Sequence, residues 1–198
     1  MAAPCADEFR CALFRTHFVI LVSVGTQLPF DRLIQAVDSW AEANARTDVV
    51  GQIGPSRYTP RAMRCFPFIE HRQFYELQKQ CTLMVSHAGM GSLIGAMELG
   101  KPIIILARDH RRGEHRNGHQ LATLGQFRNF PGVYAANDEQ HVKELLDRSH
   151  ELTAAPSLDP QASTEFIERL AAYVEDTAPA RLRLADRWRK RRGAGGAV

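Results

Sequence analysis

Hydrophobic residues along this chain are grouped in short continuous runs and do not alternate with polar residues. Short apolar runs bounded by turn-forming residues are typical of strands buried on both faces of a sheet. The runs that predict strands are Phe18–Val24, Asp48–Ile53, Ala62–Phe66, Leu83–Ser86, Ile103–Leu106 and Val133–Ala135. The pattern therefore predicts six strands that are covered on both sides.

Between these runs, apolar residues recur at helical spacing, as in Phe30, Leu33, Ile34 and Val37. The predicted helices are Pro29–Ala45, Glu70–Gln80, Met90–Leu99, Asn117–Gln126, Glu139–Ser149 and Gln161–Asp176. Strands that alternate with helices and are apolar throughout favour a parallel sheet with helices on both faces. The predicted fold is thus α/β, a single Rossmann-like domain with a doubly wound parallel sheet.

Charge is distributed unevenly along the chain. The formal net charge is +3, but Arg181–Arg192 is rich in arginine and contains only one acidic residue, Asp186. The rest of the chain is slightly acidic, which does not favour nucleic-acid binding. Arginine beside Trp188 suits an anionic membrane surface, and a solvated terminus is the alternative. We predict an extension (1–16), the α/β domain (17–150), a helical segment (151–178) and a basic, disordered tail (179–198).

The four cysteines, Cys5, Cys11, Cys65 and Cys81, form no CxxC pair. A disulfide framework or a zinc knuckle is therefore not expected. No apolar run approaches the roughly 20 residues that cross a bilayer, and the acidic, weakly apolar N-terminus does not resemble a signal peptide. These features predict a cytoplasmic protein.

A loop of small residues, Ser86–Ser92, follows the fourth predicted strand and precedes a helix. Glycines let a backbone approach a ligand, and the free amides at the start of a helix suit a diphosphate. His87 and Ser92 add an imidazole donor and a hydroxyl donor. The alternative is a tight turn with an incidental histidine. Neither a P-loop motif nor GxGxxG after the first strand is present, so NTPase and dinucleotide sites are not predicted.

A polar segment, Gly113–Gln120, precedes the next predicted helix. Its His, Asn, Gln and Glu side chains can form paired hydrogen bonds with sugar hydroxyls. A metal site is a rival interpretation, because His110, His115 and His119 lie close together in the sequence. The lack of HExxH and the helix-weakening Gly118 argue against a metal. A solvated polar loop is the third interpretation.

Gly25 and Thr26 form a turn directly after the first predicted strand. Such a turn can help to hold a phosphate, and an ordinary turn is the equal alternative. Ligands of parallel sheets bind at the carboxyl ends of the strands, near the point where strand order reverses. The sequence therefore allows Gly25-Thr26 and His87-Ala88-Gly89 to face one crevice.

The segment Phe66–Ile69 reads Phe-Pro-Phe-Ile at the end of the third predicted strand. An extended segment of this kind can wall a base-binding slot, with its backbone paired to a uracil edge. Aromatic residues are more often part of a core, which is the competing explanation.

Four motifs together resemble the C-terminal half of a GT-B glycosyltransferase of family 28. They are VSVGTQLPFDRL (Val22–Leu33), SHAGMGS (Ser86–Ser92), ELGKPIII (Glu98–Ile105) and GEHRNGHQLAT (Gly113–Thr123), all within Phe18–Ser149. The chain is similar to the short, stand-alone members of that family. These are the PssE-type exopolysaccharide subunits and the soluble catalytic subunit of the eukaryotic two-subunit UDP-GlcNAc transferase.

The resemblance implies a role for each motif. It makes His87 the catalytic residue, places uracil beside Phe68 and Ile69, and expects no metal and no other cofactor. The residues implied to bind the donor diphosphate are Gly25, Thr26, Gly89, Gly91 and Ser92. The residues implied to bind the donor sugar are Glu114, Asn117, His119 and Gln120.

The chain departs from the wider family at two positions. Gly95 stands where many relatives have a ribose-binding carboxylate, with Glu98 one turn further on, and Thr123 stands where an Asn is common. The donor sugar is therefore left open. The arginines near the sugar-contact segment would favour an acidic sugar: Arg108, Arg111, Arg112 and Arg116.

The resemblance implies a donor-binding, catalytic subunit of a two-component inverting glycosyltransferase that moves a sugar from a UDP-sugar to a lipid-linked saccharide. A membrane-associated PssD-type partner would carry the acceptor site and recruit the chain to the inner face of the plasma membrane. One alternative is a non-catalytic UDP-sugar-binding scaffold that activates a partner. Another is a metal-dependent hydrolase that uses His110, His115 and His119.

Overall fold

A computed structural model describes residues 20–154, 157 and 162–177 of the chain. The predicted N-terminal extension (1–16) and basic tail (179–198) lie outside the described residues. The chain divides into two compact units, residues 1–158 and 159–198. The domain boundaries predicted at residues 150 and 178 stay predictions.

The first unit is built on one six-stranded sheet, and all of its strands are parallel. The strands are β1 (Ile20–Ser23), β2 (Val49–Gln52), β3 (Arg64–Phe66), β4 (Leu83–His87), β5 (Ile103–Leu106) and β6 (Val133–Ala136). Their order is β3-β2-β1-β4-β5-β6. The chain places β2 and β3 on one side of β1, and then β4, β5 and β6 on the other side. The strand order therefore reverses between β1 and β4.

Helices cover both faces of the sheet, which confirms the predicted doubly wound fold. They are α1 (Asp31–Ala43), α2 (His71–Gln80), α3 (Met90–Glu98), α4 (His119–Phe127) and α5 (Glu139–Asp147). One core layer joins α1 and α5 to the sheet, and the other joins α2, α3 and α4 to its opposite face. Neighbouring strand residues belong to opposite layers, as Leu21 and Val22 do, because successive side chains of a strand point to opposite faces.

The boundaries differ from the prediction most clearly before α4. This helix begins at His119 and not at Asn117. A short 3-10 turn, His110–Arg112, and a left-handed Gly113 (φ 73°) precede it. The polar segment Gly113–Gly118 is thus a loop that leads into the helix, and only its last residues, His119 and Gln120, are helical.

The second unit contains α6 (Thr164–Thr177), close to the predicted helix. Its large apolar residues recur at helical spacing on one face and are exposed: Phe166, Ile167, Leu170, Tyr173 and Val174. Within the described part of the chain, no helix combines the length and the apolar character needed to cross a membrane.

A buried carboxylate fastens the β2–β3 connection to α1. Asp38 is fully buried in α1. It accepts hydrogen bonds from the Tyr58 hydroxyl at 2.7 Å and from the amides of Arg61, Ala62 and Met63 at 2.9–3.1 Å. Burial raises the pKa of Asp38, but these hydrogen bonds outweigh it, so the pKa lies below its ordinary value. The carboxylate therefore stabilises the fold above the ordinary aspartate pKa and loses this effect as the pH falls through the lowered pKa.

Replacing Asp38 should destabilise the protein strongly. Asp38→Ala leaves three main-chain amides without their acceptor, which should cost about 2–4 kcal/mol of unfolding free energy. Urea denaturation at neutral pH measures this loss. The matched control is Glu42→Ala, since Glu42 is an exposed carboxylate of the same helix and should change stability by less than about 0.5 kcal/mol. Equal effects of the two substitutions would contradict the anchoring role.

Candidate functional site

The carboxyl ends of β1 and β4 meet at a cleft. The two strands pair in register, with Ser23 opposite Ser86, so the residues that follow them share one edge of the sheet. The cleft has a volume of about 220 Å³. Its lining residues are Val24, Gly25, Thr26, Gln27, Leu28, His87, Arg108, His115 and Gln120. The cleft thus lies at the reversal of strand order, where parallel sheets bind their ligands.

Gly25 is required by its conformation and by its neighbours. Its φ of +79° belongs to the left-handed region that favours glycine. A Cβ at this position would also lie 3.3 Å from Cε1 of His87. Behind it, a Cβ at Gly54 would lie only 2.8 Å from the Gly25 carbonyl oxygen. The turn after β1 is therefore held between the imidazole of His87 and the backbone at Gly54.

The imidazole of His87 is a neutral, internally bonded group. Its Nδ1 lies 3.4 Å from the Ser23 carbonyl oxygen and 3.3 Å from Oγ of Ser86. Burial, reinforced by the charge of Arg108, lowers the pKa of His87 to about 4. Because a carbonyl oxygen can only accept, Nδ1 donates to Ser23, and this leaves Nε2 as an acceptor. The sequence predicted an imidazole donor to a ligand; with this tautomer Nε2 is an acceptor, and the role of His87 towards a ligand stays a prediction.

The imidazole of His87 also explains why residue 89 is a glycine. A Cβ at Gly89 would lie 2.3 Å from Nε2 of His87, whereas a Cβ at Gly91 would meet nothing within 4 Å. The loop after β4 therefore contains one glycine that the fold requires and one that stands in open space.

The N-terminus of α3, next to His87, is open. Its N-cap residue, Gly89, has no side chain to bond the first-turn amides, and the amides of Met90, Gly91 and Ser92 precede the first intrahelical bond, which Leu93 donates to Gly89. Ser92 does not fill this position, because its hydroxyl lies 2.8 Å from Oγ of Ser86 and is hydrogen-bonded there.

Among the other helices that begin at this edge of the sheet, two have a carboxylate cap, whereas α1, with Phe30 as its N-cap residue, has no side-chain cap. The carboxylate of Glu70 accepts a bond from the first turn of α2, and that of Asp138 does the same for α5. At α4 the N-cap is Gly118, and Oδ1 of Asn117 accepts from the His119 amide at 3.3 Å. The open amides of α3 are thus left available to an anion at the point where the strand order reverses.

A buried arginine joins the two loops that form the cleft walls. Arg108 is 3% exposed. Its guanidinium donates to the carbonyl oxygens of Val24, Leu28, Pro29 and Glu114. Its main-chain amide donates to Oε1 of Gln120 at 3.1 Å. The sequence suggested that arginines of this segment read an acidic sugar, but four of the five N–H donors of this guanidinium are bound to main-chain carbonyls.

The predicted donor-sugar residues occupy different positions. Gln120 is 7% exposed and lines the cleft, whereas His119 and Asn117 are exposed and do not line it. The carboxylate of Glu114 lies 2.6 Å from Nε of Arg32 and accepts from the Asp109 amide at 2.8 Å. The structure therefore brings Gln120 to the cleft and uses Glu114 to shape the loop, and the sugar contacts of all four residues stay predictions.

Two lining residues were not assigned to the cleft from the sequence. His115 was named only as a member of the polar segment Gly113–Gln120 and as a possible metal ligand, although it lines the cleft beside His87 and Gln120. Arg108 was considered only as part of an arginine cluster. The sequence did contain a signal for Arg108, because this residue lies two positions after β5. Residues that directly follow the strands of a parallel sheet lie at the carboxyl edge, where the cleft is. Among the described residues, no group of three His, Cys, Asp or Glu side chains is placed to hold a metal ion.

The predicted uracil residues lie apart from this cleft. Phe68 is 66% exposed and Ile69 is buried in the core, and neither lines the cleft. The Ile69 amide donates to Oε1 of Gln52 at 2.9 Å. The carbonyl oxygens of Phe66 and Pro67 accept bonds from the amides that follow β2. Three backbone groups of this segment are thus bonded within the protein, and its contact with a base stays a prediction.

Alanine at the two loop glycines should have different effects. Gly89→Ala forces the His87 imidazole to move and should cost about 1–3 kcal/mol of stability. Gly91→Ala adds a methyl group in open space and should leave stability within about 0.5 kcal/mol of the wild type. Thermal unfolding of both variants measures the difference, and a Gly89→Ala protein as stable as Gly91→Ala would refute the packing of the imidazole on Gly89.

The neutral imidazole predicts a pH dependence of stability. The pKa of His87 is lowered, so the unfolded state binds the proton more readily than the folded state. The unfolding free energy should therefore fall as the pH drops from about 6.5 towards 4, by on the order of 3 kcal/mol for this group. His87→Gln should lack that component, which the difference between the two proteins in urea denaturation isolates. An NMR titration that places the pKa near 6.5 would overturn the assignment.

Comparison with known proteins agrees with this architecture. The model of the glycosyltransferase family 28 C-terminal domain matches residues 19–130, more than half of the chain. No curated protein matches the sequence.

Solved structures share the fold at low identity. The solution structure of ALG13 is 18% identical with a TM-score of 0.52, covering 78% of this chain and 94% of that chain. The UDP-GlcNAc 2-epimerase of Methanocaldococcus jannaschii, in complex with UDP-GlcNAc and UDP, is 12% identical with a TM-score of 0.54, covering 84% and 48%. A putative UDP-N-acetylglucosamine 2-epimerase of Listeria monocytogenes is 14% identical with a TM-score of 0.53, covering 89% and 49%.

The chain therefore spans most of ALG13 and about half of each epimerase. At these identities the likeness shows the fold alone. The family match confirms the resemblance on which the motifs were interpreted, and the chain belongs to the glycosyltransferase family 28 C-terminal domain family.

Proposed function

We propose that this protein is the donor-binding, catalytic subunit of a two-component inverting glycosyltransferase. It moves a sugar from a UDP-sugar to a lipid-linked saccharide during polysaccharide biosynthesis. The proposal rests on family membership and on one observation, the open N-terminus of α3 at the reversal of strand order. An epimerase with the same fold was solved with UDP-GlcNAc and UDP, which is compatible with this choice of donor.

The open helix terminus suits the charge that develops during transfer. The acceptor hydroxyl attacks the anomeric carbon, the bond from that carbon to the β-phosphate oxygen breaks, and its electron pair leaves with UDP. The amides of Met90, Gly91 and Ser92 and the helix dipole stabilise this anion. Gly25 and Thr26 close the opposite side of the diphosphate.

His87 has a positioning role with respect to the donor. A neutral imidazole adds no charge to the diphosphate site, but its Nε2 accepts a hydrogen bond from a donor hydroxyl. Gln120 holds its carbonyl oxygen on the Arg108 amide, so its amide nitrogen is left to donate to the sugar.

The acceptor side belongs to a second protein in this proposal. The coverage of most of ALG13 supports similarity to short family members. A membrane-associated PssD-type partner carries the lipid-linked acceptor, supplies the base that takes the acceptor proton, and recruits the chain to the inner face of the plasma membrane.

A second candidate is a non-catalytic UDP-sugar-binding module that activates a partner glycosyltransferase. One observation favours it: the residues that line the cleft include no carboxylate that could act as a base. Both candidates need the same donor pocket, so only the dependence of turnover on that pocket separates them.

Donor binding should be measurable on the isolated chain. UDP and UDP-sugars should raise the thermal midpoint, and the donor sugar that raises it most identifies the substrate class. Gln120→Ala should weaken UDP-sugar binding by about tenfold, the effect of one lost buried hydrogen bond. Gln126→Ala, an exposed glutamine in the same helix, should bind as the wild type does. A wild-type protein that UDP and UDP-sugars leave unshifted would refute the proposal.

Sugar transfer should need both components. We expect the chain and a PssD-type partner together to transfer the sugar to a lipid-linked acceptor, and neither alone to do so. His87→Ala and Gln120→Ala should each lower turnover of the reconstituted pair at least about tenfold. Full turnover by the isolated chain would refute the partner requirement. Unchanged turnover with both variants would establish the scaffold instead.

A further inference from the structure

Arg108 is the permanently charged side chain among the residues that line the cleft, and it has no carboxylate partner. No described residue forms an ion pair with it. Its contact with Glu114 is to the main-chain oxygen, at 3.2 Å. The Glu114 carboxylate itself is bound to Arg32. The charge of Arg108 is therefore surrounded by carbonyl dipoles and is not neutralised at contact distance.

The neighbouring cation, Arg32, differs from Arg108 in having carboxylate partners. Arg32 and Arg108 each lie 4.9 Å from the centroid of Phe30. Arg32 is paired with the carboxylates of Glu114 and Glu139, at 2.6 Å and 3.5 Å. Arg108, the more deeply buried of the two, has neither. Since burying a cation without an anion costs several kcal/mol, its position beside the cleft needs an explanation beyond loop anchoring.

One donor of Arg108 is available to a ligand. The terminal nitrogens carry four N–H groups, and these bind four carbonyl oxygens. The remaining donor, Nε–H, has no acceptor among the described residues. Because no fully buried side-chain nitrogen of those residues lacks a partner, Nε reaches solvent, and Arg108 borders solvent at the cleft.

Arg108 stays charged at neutral pH. Burial lowers its pKa to about 10, with Glu114 acting in the opposite direction. The positive charge and the free donor therefore belong to one side chain of the cleft, which Arg108 lines together with His87 and Gly25.

We infer that Arg108 is the anion-binding residue of this cleft: its guanidinium fastens the loops after β1 and β5, and its charge and Nε–H bind the diphosphate of a nucleoside diphosphate. The inference rests on the proposed function, which supplies the nucleotide. It assigns the counter-charge for the leaving group to a side chain as well as to the α3 terminus.

The test compares a charged ligand with its neutral counterpart. Binding of UDP and of uridine is measured by NMR titration for the wild type, Arg108→Met and the control Arg111→Met, which removes the same charge from an exposed residue of the same segment. We expect Arg108→Met to weaken UDP binding by about 10–100-fold, the range for a lost charge-assisted hydrogen bond. Uridine binding should change less than about threefold, and Arg111→Met should change neither.

A second variant and a signal from the unaltered protein cover the case in which Arg108→Met does not fold. Arg108→Lys keeps the charge and should keep the ratio of UDP to uridine affinity within about threefold of the wild type. In the wild type, the Nε–H resonance of Arg108, identified by its absence from Arg108→Lys, should shift with UDP and stay in place with uridine.

The outcomes are distinct. A wild type that does not bind UDP overturns the proposed function and this inference together. UDP binding by the wild type with an unmoved Nε–H signal, or an equal loss of UDP and uridine affinity in Arg108→Met, overturns the inference alone and leaves Arg108 as a structural anchor.

Discussion

The pairing of β1 with β4 is the constraint on which the site depends. Their parallel register places Ser23 opposite Ser86, and the buried hydroxyl of Ser86 donates to the Ser23 carbonyl at 2.7 Å. Two segments more than sixty residues apart in sequence therefore end side by side. Without this pairing, the turn at Gly25 and the imidazole of His87 would belong to separate surfaces, and no cleft would form between them.

The close approach of the segments that follow β1 and β4 also explains the small residues around His87. The imidazole fills the space above Gly89 and reaches Gly25, and both positions exclude a Cβ. Burial then keeps the imidazole neutral, which removes it as a source of positive charge. The positive charge comes instead from Arg108, which lines the cleft, and from the α3 terminus, which follows His87 in the chain but does not itself line the cleft.

The elements of this fold were predictable because each follows from local pattern. The apolar runs around Leu21, Val85 and Ile104 are buried strands, as continuous apolar segments must be when helices cover both faces. The start of α4 was placed two residues early, because the loop before it is held by bonds of Glu114 to Arg32 and Arg108 that no helical pattern records.

The sequence by itself determined the strand and helix order, the parallel sheet and the two motifs at its carboxyl edge, since these depend on periodicity, glycine and helix starts. Only the tertiary structure decided which motif residues meet. It brought Gln120 and His115 to the cleft, used Glu114 to pair with Arg32, and kept Phe68 and Ile69 apart from it. It also turned His87 into a neutral acceptor and Arg108 into a buried cation. These properties arise from burial and from partners distant in sequence, so they exist only once the chain has folded.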